Sequence, residues 1–223
     1  MNTAPIPRSP NPDPWEAAYL AFETPGQEVA KFVSRLRKLG AESWSKDAQI
    51  LELFCGRGSG LMALHQLGFA NIEGVDLSPS LLAKYSGPGR IECCDCRNLS
   101  FPGASRDIAI VQGGLHHLPT LPQDLELTLA QVHRVLRPGG RFVVVEPWLT
   151  PFLHAVHAAA RNPLVRRLSK KFDALQTMIE HEVRTYRQWL GQPAVVMGCL
   201  EQHFKTEICW HSYGKLLYVG RRG

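Results

Sequence analysis

Long apolar runs are missing from this 223-residue sequence, and no segment approaches the length needed to span a bilayer. The opening stretch MNTAPIPRSPNPDPW also lacks the apolar core of a secretory signal peptide. Its repeated prolines instead predict an extended leader over residues 1–14. Six cysteines without a secretory signal predict reduced thiols and a cytoplasmic protein.

A strong excess of one charge is missing as well. The 25 Lys and Arg residues exceed the 20 Asp and Glu residues by only five, which argues against nucleic acid as the partner. Cys93 and Cys96 have C-x-x-C spacing, but no second ligand pair stands at a spacing that would complete a zinc site. We therefore expect no metal, and we interpret these cysteines as small structural side chains.

Apolar segments alternate with amphipathic ones along most of the chain, and this alternation sets the fold class. Strands are predicted at AQILELF, IEGVDL, RIECCD, RDIAIVQ and RFVVVEP, with helices between them. Strands that are apolar throughout and separated by helices indicate a doubly wound α/β sheet covered on both faces.

The two ends of the chain differ from this alternating pattern. After the leader we predict one domain over 15–223, which begins with helices over 15–46. In these helices Thr24 and Gln27 match a capping box and Gly40 a helix stop. A helical insert over 150–190 precedes a closing antiparallel hairpin that turns at Gly214.

The glycine-rich stretch LELFCGRGSG follows the first strand and predicts a nucleotide-binding turn. A dinucleotide fingerprint requires a third glycine where Leu61 stands, and no Gly-Lys-Ser/Thr follows for a phosphate loop. Acids also close three successive strands, namely Glu52, Asp76 and Asp95. Glu52 would repel a pyrophosphate and attract an ammonium group. The acids therefore favour S-adenosylmethionine, a cationic adenosine ligand without phosphate.

Several motifs together carry a family resemblance. ILELFCGRGSG, GVDLSPSLL, ECCDCRNLSFP, RDIAIVQGGLHHLP and VHRVLRPGGRFVVVEP resemble the class I S-adenosylmethionine-dependent methyltransferases, type 11 (ubiquinone/menaquinone-biosynthesis-like). The resemblance covers roughly residues 47–147. It implies a Rossmann-like seven-stranded sheet of order 3-2-1-4-5-7-6 with the seventh strand antiparallel.

The resemblance also implies roles for the cofactor-binding residues. Glu52 would face the methionine amine, and the methionine end would be wrapped by the backbone of Phe54, Cys55, Gly56, Arg57 and Gly58. Asp76 would hold the ribose, and Leu77 would pack on the adenine. Asp95 and the N–H of Cys96 would bind the adenine edge, and Gln112 would lie near the cofactor. The sequence departs from the family at Phe54, where the family has glycine, and we expect a wider or partly shielded turn there.

Methyl transfer to a hydroxyl or a protonated amine also needs a base, and the stretch GGLHHLP offers His116 and His117 as candidates. The Asn/Asp-Pro-Pro-Tyr stretch of the amide- and base-amine methyltransferases is replaced by QGGL, which argues against that chemistry.

The acceptor is expected to be a small, aromatic or acidic molecule. We predict its contacts near Tyr19, Trp148, Tyr186 and Arg187, which combine aromatic walls with planar donors. Two alternatives remain open at this point. One is an RNA or protein methyltransferase that docks through the basic 161–187 segment, and the other is a regulator that binds the cofactor without transferring its methyl group.

Overall fold

The structure, a computed structural model, describes the backbone of residues 14–223 and the side chains from Ala17 onward. The predicted leader, up to Asp13, lies outside the described residues. None of the described helices is both long enough and apolar enough to cross a membrane.

Seven strands form one sheet with the order β3-β2-β1-β4-β5-β7-β6, and this order confirms the predicted fold class. The strands are β1 Ile50–Leu53, β2 Ile72–Asp76, β3 Arg90–Cys93, β4 Arg106–Gln112, β5 Leu136–Pro147, β6 Lys205–Ser212 and β7 Lys215–Arg221. The first five pair in parallel, whereas β7 runs antiparallel to both β5 and β6.

Helices cover both faces of the sheet. They are α1 Pro14–Phe22, α2 Pro25–Lys38, α3 Ser59–Gln66, α4 Pro79–Leu82, α5 Gln123–Val135, α6 Pro151–Arg161, α7 Pro163–Leu168, α8 Lys170–His181, α9 Val183–Gly191 and α10 Pro193–His203. One core forms where α5, α9 and α10 pack on the sheet, and a second forms under α2 and α3. Continuous apolar strands are buried between these two layers, as the sequence pattern predicted.

Local capping signals match the structure closely. The Gln27 N–H donates to Thr24 Oγ1 and the Thr24 N–H donates to Gln27 Oε1, which confirms the capping box. Gly40 adopts a left-handed φ of 86° just after α2 ends. Asn162 caps α7 as the Asn-Pro pair predicted, its Oδ1 accepting from the Leu164 N–H at 2.9 Å.

Two element boundaries differ from the prediction. Strand β5 begins at Leu136 rather than Arg141, because Leu136 pairs with Arg106 before a register shift at the Arg-Pro-Gly-Gly turn. The helical region extends beyond residue 190, because Pro193 starts a further helix, α10, which packs on α5.

The insert covers the carboxyl ends of the strands, where doubly wound folds bind ligands. Helix α8 of the insert packs against the N-terminal helix α1, so both helices lie over the same edge of the sheet. Helix α9 packs on the turn that follows β4. The edge is therefore roofed by elements from both the N-terminal helices and the insert.

Candidate active site

A cavity of about 1000 Å³ lies under this roof. Residues predicted from the sequence line it, namely Glu52, Phe54, Cys55, Gly56, Arg57, Asp76, Leu77, Asp95, Cys96, Gln112, His116 and His117. Gly58 stands behind the lining, where a Cβ would run into the Tyr85 ring. Its φ of 80° is also a conformation that favours glycine.

Phe54 occupies a left-handed conformation, with φ of 55°. This conformation costs a residue with a side chain about 1–2 kcal/mol, which is the physical reason for the family's glycine. The Phe54 ring packs over Gly114, where any Cβ would overlap it. The expectation was a wider or partly shielded turn; Phe54 keeps a left-handed backbone there, and its ring lies against Gly114 of the neighbouring loop and lines the cavity.

Glu52 is the penultimate residue of β1, and its side chain is almost wholly buried, at 2% exposure. Within the part of the chain that the structure describes, its Oε2 has no hydrogen-bond partner, and neither do Oε1 and Nε2 of the cavity residue Gln112. Burial, and secondarily the charge of Glu28, raises the pKa of Glu52 to about 8. Buried polar atoms without partners are rare in native folds, so this end of the cavity has hydrogen-bonding capacity for a polar or cationic ligand.

Asp76 ends β2 and organises the glycine turn. Its Oδ2 accepts from the Gly56 N–H at 2.9 Å and its Oδ1 accepts from the Ser78 N–H at 2.8 Å. Each carboxylate oxygen keeps a second lone pair for a ligand hydroxyl. The next residue, Leu77, is 59% exposed within the cavity lining, so an apolar surface is available beside the carboxylate.

Asp95 is engaged by an arginine that the sequence reasoning missed. The Arg97 guanidinium donates to both Asp95 oxygens from Nε and Nη2 and to Asp124 Oδ1 from Nη1. The Arg97 hydrogen bonds hold the pKa of Asp95 below its usual range. Cys96 is buried beside Thr128 Oγ1, at 3.6 Å. Spacing alone gave no signal for Arg97, since its second partner is 27 residues further on.

His116 lies at the centre of a carboxylate pair. Its Nδ1 is 2.7 Å from Glu146 Oε2, and its Nε2 is 3.6 Å from Glu182 Oε2. Burial alone would lower the pKa of His116, but the two carboxylates outweigh it and raise the pKa to about 9. For His117, burial and the neighbouring His116 lower the pKa to about 4.

Glu182 also approaches His117, whose Nδ1 is 3.7 Å from Glu182 Oε1. The ligand-type atoms of His116, His117 and Glu182 all lie within 4.8 Å of one another, a spacing that one cation could bridge. Glu146 and Glu182 were not identified from the sequence. Glu146 ends β5 just as the other acids end their strands, and that position was the available signal.

The residues predicted to contact the acceptor are only partly brought together. Tyr19 and Tyr186 line the cavity, and the Tyr186 hydroxyl lies 3.1 Å from His157 Nε2. Trp148 does not line it, because its ring is buried in the core and stacks on His211 at 5.1 Å. Arg187 is exposed and does not line the cavity, whereas the preceding residue of α9, Tyr186, does.

Cations from other elements take the place expected for Arg187. Lys31, Arg35 and Lys215 all line the cavity. Lys31 pairs with Glu23, whereas the described residues provide no ion-pair partner for Arg35 or Lys215. Burial, and then the charge of Arg35, lowers the pKa of Lys215 to about 8. On the opposite wall, Arg57 donates to Glu28 Oε2 at 2.9 Å and lies over the Tyr19 ring.

Comparison with known proteins agrees with this geometry. Residues 51–144 match a family described as a methyltransferase domain. Over this part the chain is similar to that family. The match spans the glycine turn, the acids that close β1 to β3, and the double-histidine turn.

The curated relatives match this chain over only part of their own length. EEF1A lysine methyltransferase 4 of Mus musculus is 31% identical over 58% of this chain and 58% of its own length. A demethylmenaquinone methyltransferase of Thermus thermophilus is 31% identical over 51% of this chain and 59% of its own length. The matched part of this chain thus spans less than two thirds of the length of these relatives.

Solved structures match the fold over nearly the whole chain. The PH0226 protein of Pyrococcus horikoshii OT3 has a TM-score of 0.67 at 19% identity and covers 96% of this chain and 100% of its own. An S-adenosylmethionine-dependent methyltransferase of Mesorhizobium loti has a TM-score of 0.57 at 20% identity over 83% and 96%. The helical insert is therefore included in the first of these matches.

Proposed function

We propose that this protein transfers a methyl group from S-adenosylmethionine to a small-molecule acceptor. The observation that carries the proposal is one roofed cavity that joins the unpartnered Glu52 and Gln112 atoms to the His116 centre. Methyl transfer to a hydroxyl acceptor requires both a cofactor site and a proton acceptor within reach of one another. When bound, S-adenosylmethionine would supply a methyl group already activated by its sulfonium.

The residues of the cavity fit that cofactor. The buried Glu52 carboxylate and the Gln112 amide suit its ammonium group, and Asp76 has lone pairs for two ribose hydroxyls. Leu77 offers its exposed side chain to the adenine ring. Asp95 and the Cys96 N–H are proposed for the adenine edge, with Arg97 holding the Asp95 carboxylate in place.

His116 is the candidate base. Glu146 accepts from its Nδ1 and thereby leaves Nε2 facing the cavity, where it can take the proton of an acceptor hydroxyl. The acceptor hydroxyl would lose its proton to His116, and the methyl group that its oxygen gains would come from the bound cofactor. His117, with its lowered pKa, stays neutral beside this centre and bounds the acceptor position.

The acceptor end of the cavity combines apolar walls with positive charge. Leu153, Val156 and Met178 supply apolar surface from the insert, and Tyr186 supplies an aromatic edge. Arg35 and Lys215 face this space and form no direct ion pair within the described residues, although the charges of Glu23 and Glu146 act on both. We propose an acceptor with a hydrocarbon or ring body and an acidic group, because an anion would relieve the repulsion between these two cations.

A roofed cavity of this size favours a small molecule over a macromolecular acceptor. Helices α1 and α8 pack together above it, and a folded protein or an RNA duplex would have to separate them. One curated relative is a lysine methyltransferase, and for this reason a protein acceptor is the alternative to be tested.

Calorimetry with S-adenosylhomocysteine tests the cofactor assignment, with NADH as the negative control. We expect S-adenosylhomocysteine to bind and NADH not to bind. Radiolabelled methyl donor incubated with fractionated cell extract then identifies the acceptor by the size of the labelled product. Label in protein or RNA would favour the macromolecular alternative, and cofactor binding without any labelled product would favour a regulator.

A further inference from the structure

Helix α7 presents two leucines that no other described residue covers. Leu164 is 71% exposed and Leu168 is 88% exposed, and they lie one helical turn apart on the same face. None of the residues of α7 is buried. A helix that packs its apolar side chains inward would show the opposite arrangement, so these leucines are placed for contact with something outside the chain.

Basic residues surround the two leucines. Arg167, Lys170 and Lys171 are exposed, and the described residues provide no ion-pair partner for them. Arg166 is different, because it pairs with Asp173 at 2.8 Å. Together Leu164, Arg167, Leu168, Lys170 and Lys171 form a surface that we call the basic leucine face.

A shallow concavity opens within this face between α7 and α8. It is lined by Pro163, Arg166, Arg167, Lys170 and Asp173. Arg166 is paired with Asp173 and lies 3.6 Å from Glu180, so Arg167 and Lys170 are the two cations of this concavity that would attract a phosphate-sized anion. The apolar side chains beside it would at the same time reach into a non-aqueous phase.

The basic leucine face adjoins the roof of the cavity. Lys171 belongs both to the face and to the cavity lining, and Leu175, Met178 and Ile179 of the same helix line the cavity further along. The helices that display the leucines outward therefore also wall the acceptor space.

We propose that the basic leucine face docks this protein on membranes that contain anionic lipids, with Leu164 and Leu168 inserted among the acyl chains and Arg167 and Lys170 on headgroup phosphates. Exposed leucines flanked by lysine and arginine are the composition of interfacial helices. Each basic residue near an anionic surface strengthens binding several-fold. RNA offers phosphates but gives the two leucines no apolar partner, which is why the membrane is favoured.

The test is co-sedimentation of the whole chain with vesicles of phosphatidylcholine, with and without about a third of phosphatidylserine. We expect binding to the anionic vesicles that weakens as salt is added, and much weaker binding to neutral vesicles. The double variant Arg167→Glu with Lys170→Glu, and the double variant Leu164→Ser with Leu168→Ser, should each weaken binding by roughly tenfold or more.

Matched controls separate the face from charge and hydrophobicity in general. Lys38→Glu with Lys205→Glu makes the same charge change in α2 and β6, and Leu127→Ser removes a 54% exposed leucine from α5. Both controls should bind as the unmodified chain does. Leu168→Trp replaces one side chain that favours the membrane interface by another, and it should bind vesicles as well as the unmodified chain does. Full binding by this variant would show that substitution at residue 168 does not by itself unfold the protein.

Failure of the unmodified chain to bind anionic vesicles would overturn the proposal. So would equal loss in the controls, or a leucine variant that binds vesicles normally while a single-stranded RNA competes for the basic residues. The measurement needs neither cofactor nor acceptor, so its outcome is independent of the test of methyl transfer.

Discussion

The Nδ1 atom of His116 lies 2.7 Å from Oε2 of Glu146, and both groups are buried. The second Glu146 oxygen accepts from the N–H groups of Gly114 and Leu115, each at 2.7 Å. Because these bonds hold the Glu146 carboxylate in its ionised form, it fixes the imidazole orientation and leaves Nε2 toward Glu182 and the cavity. The pair thereby links the end of β5 to the turn after β4.

Glu146→Gln should lower the pKa of His116 from about 9 toward its ordinary value of 6.5, since the larger of the two carboxylate contributions is removed. We expect the acidic limb of the kcat/KM profile to move to lower pH, and kcat at the optimum to fall at least about tenfold. Glu182→Gln should move the limb in the same direction with a smaller loss of kcat, because Glu146 still orients the ring. An unchanged profile in both variants would remove His116 as the base.

The same pair sets a pH dependence of the free energy of unfolding. The folded pKa of His116 is about 9 and the ordinary value is 6.5. A raised pKa stabilises the fold fully below the ordinary value, and this contribution is lost as the pH rises through the folded pKa. Thermal melts between about pH 6 and 10 should show this decline in the unmodified chain and a smaller decline in Glu146→Gln.

Glu52→Gln should stabilise the ligand-free protein at alkaline pH and weaken cofactor binding. The folded pKa of Glu52 is about 8 against an ordinary value of 4.5. Between these values the folded chain keeps a proton that the unfolded chain has released, so stability falls as the pH rises through this interval. A neutral amide avoids that cost, but it offers the methionine ammonium no charge.

Melting temperatures at about pH 8.5, with and without S-adenosylhomocysteine, check this prediction. The variant should melt higher than the unmodified chain without ligand and gain less when ligand is added. Glu201→Gln, which alters an exposed acid in α10, is the matched control and should change neither value. A variant that melts lower without ligand would contradict the assignment of Glu52 as a destabilised binding group.

Two variants of Phe54 separate the effect of its backbone strain on stability from the effect of its ring packing. Phe54→Ala removes the ring contact with Gly114 and keeps a Cβ at φ of 55°, whereas Phe54→Gly removes both. Both variants should be less stable than the unmodified chain, because the ring packs against the core. The glycine variant should nevertheless exceed the alanine variant by about 1 kcal/mol, since only glycine is free of the left-handed penalty. Chemical denaturation of the pair measures this difference, and an alanine variant equal to or better than glycine would show that Phe54 is unstrained.

Sequence periodicity was sufficient to predict the sheet and most of the helices around it, because buried parallel strands must be apolar throughout. The cofactor end was also accessible, since Glu52, Asp76 and Asp95 each mark the end of a predicted strand and such ends meet at one edge. Interactions over long chain separations were not accessible. Glu182 meets His116 only because α9 packs on the turn after β4, and no local pattern encodes that contact.

The acceptor residues illustrate the same limit. Tyr186 and Arg187 are neighbours in sequence, yet successive helical positions are about 100° apart, so only one of them can face the cavity. The cations that do face it come from α2 and from the start of β7. Their meeting depends on the β5–β7 register, in which Lys215 stands opposite Pro147.

Lys215→Met should raise the Michaelis constant for an acidic acceptor by roughly tenfold or more, the value of one charge-assisted hydrogen bond, while leaving the affinity for S-adenosylhomocysteine unchanged. Because burial and Arg35 lower the pKa of Lys215 to about 8, acceptor affinity in the unmodified chain should fall as the pH rises through that value, and the fall should be absent in the variant.

Arg187→Ala is the matched control, since it removes an exposed cation from helix α9 and should leave both constants unchanged. Steady-state kinetics with the acceptor found by methyl labelling, together with calorimetry for S-adenosylhomocysteine, separates the possible outcomes. If Lys215→Met weakens S-adenosylhomocysteine and spares the acceptor, the cations hold the methionine carboxylate of the cofactor instead, and the acceptor would need no acidic group.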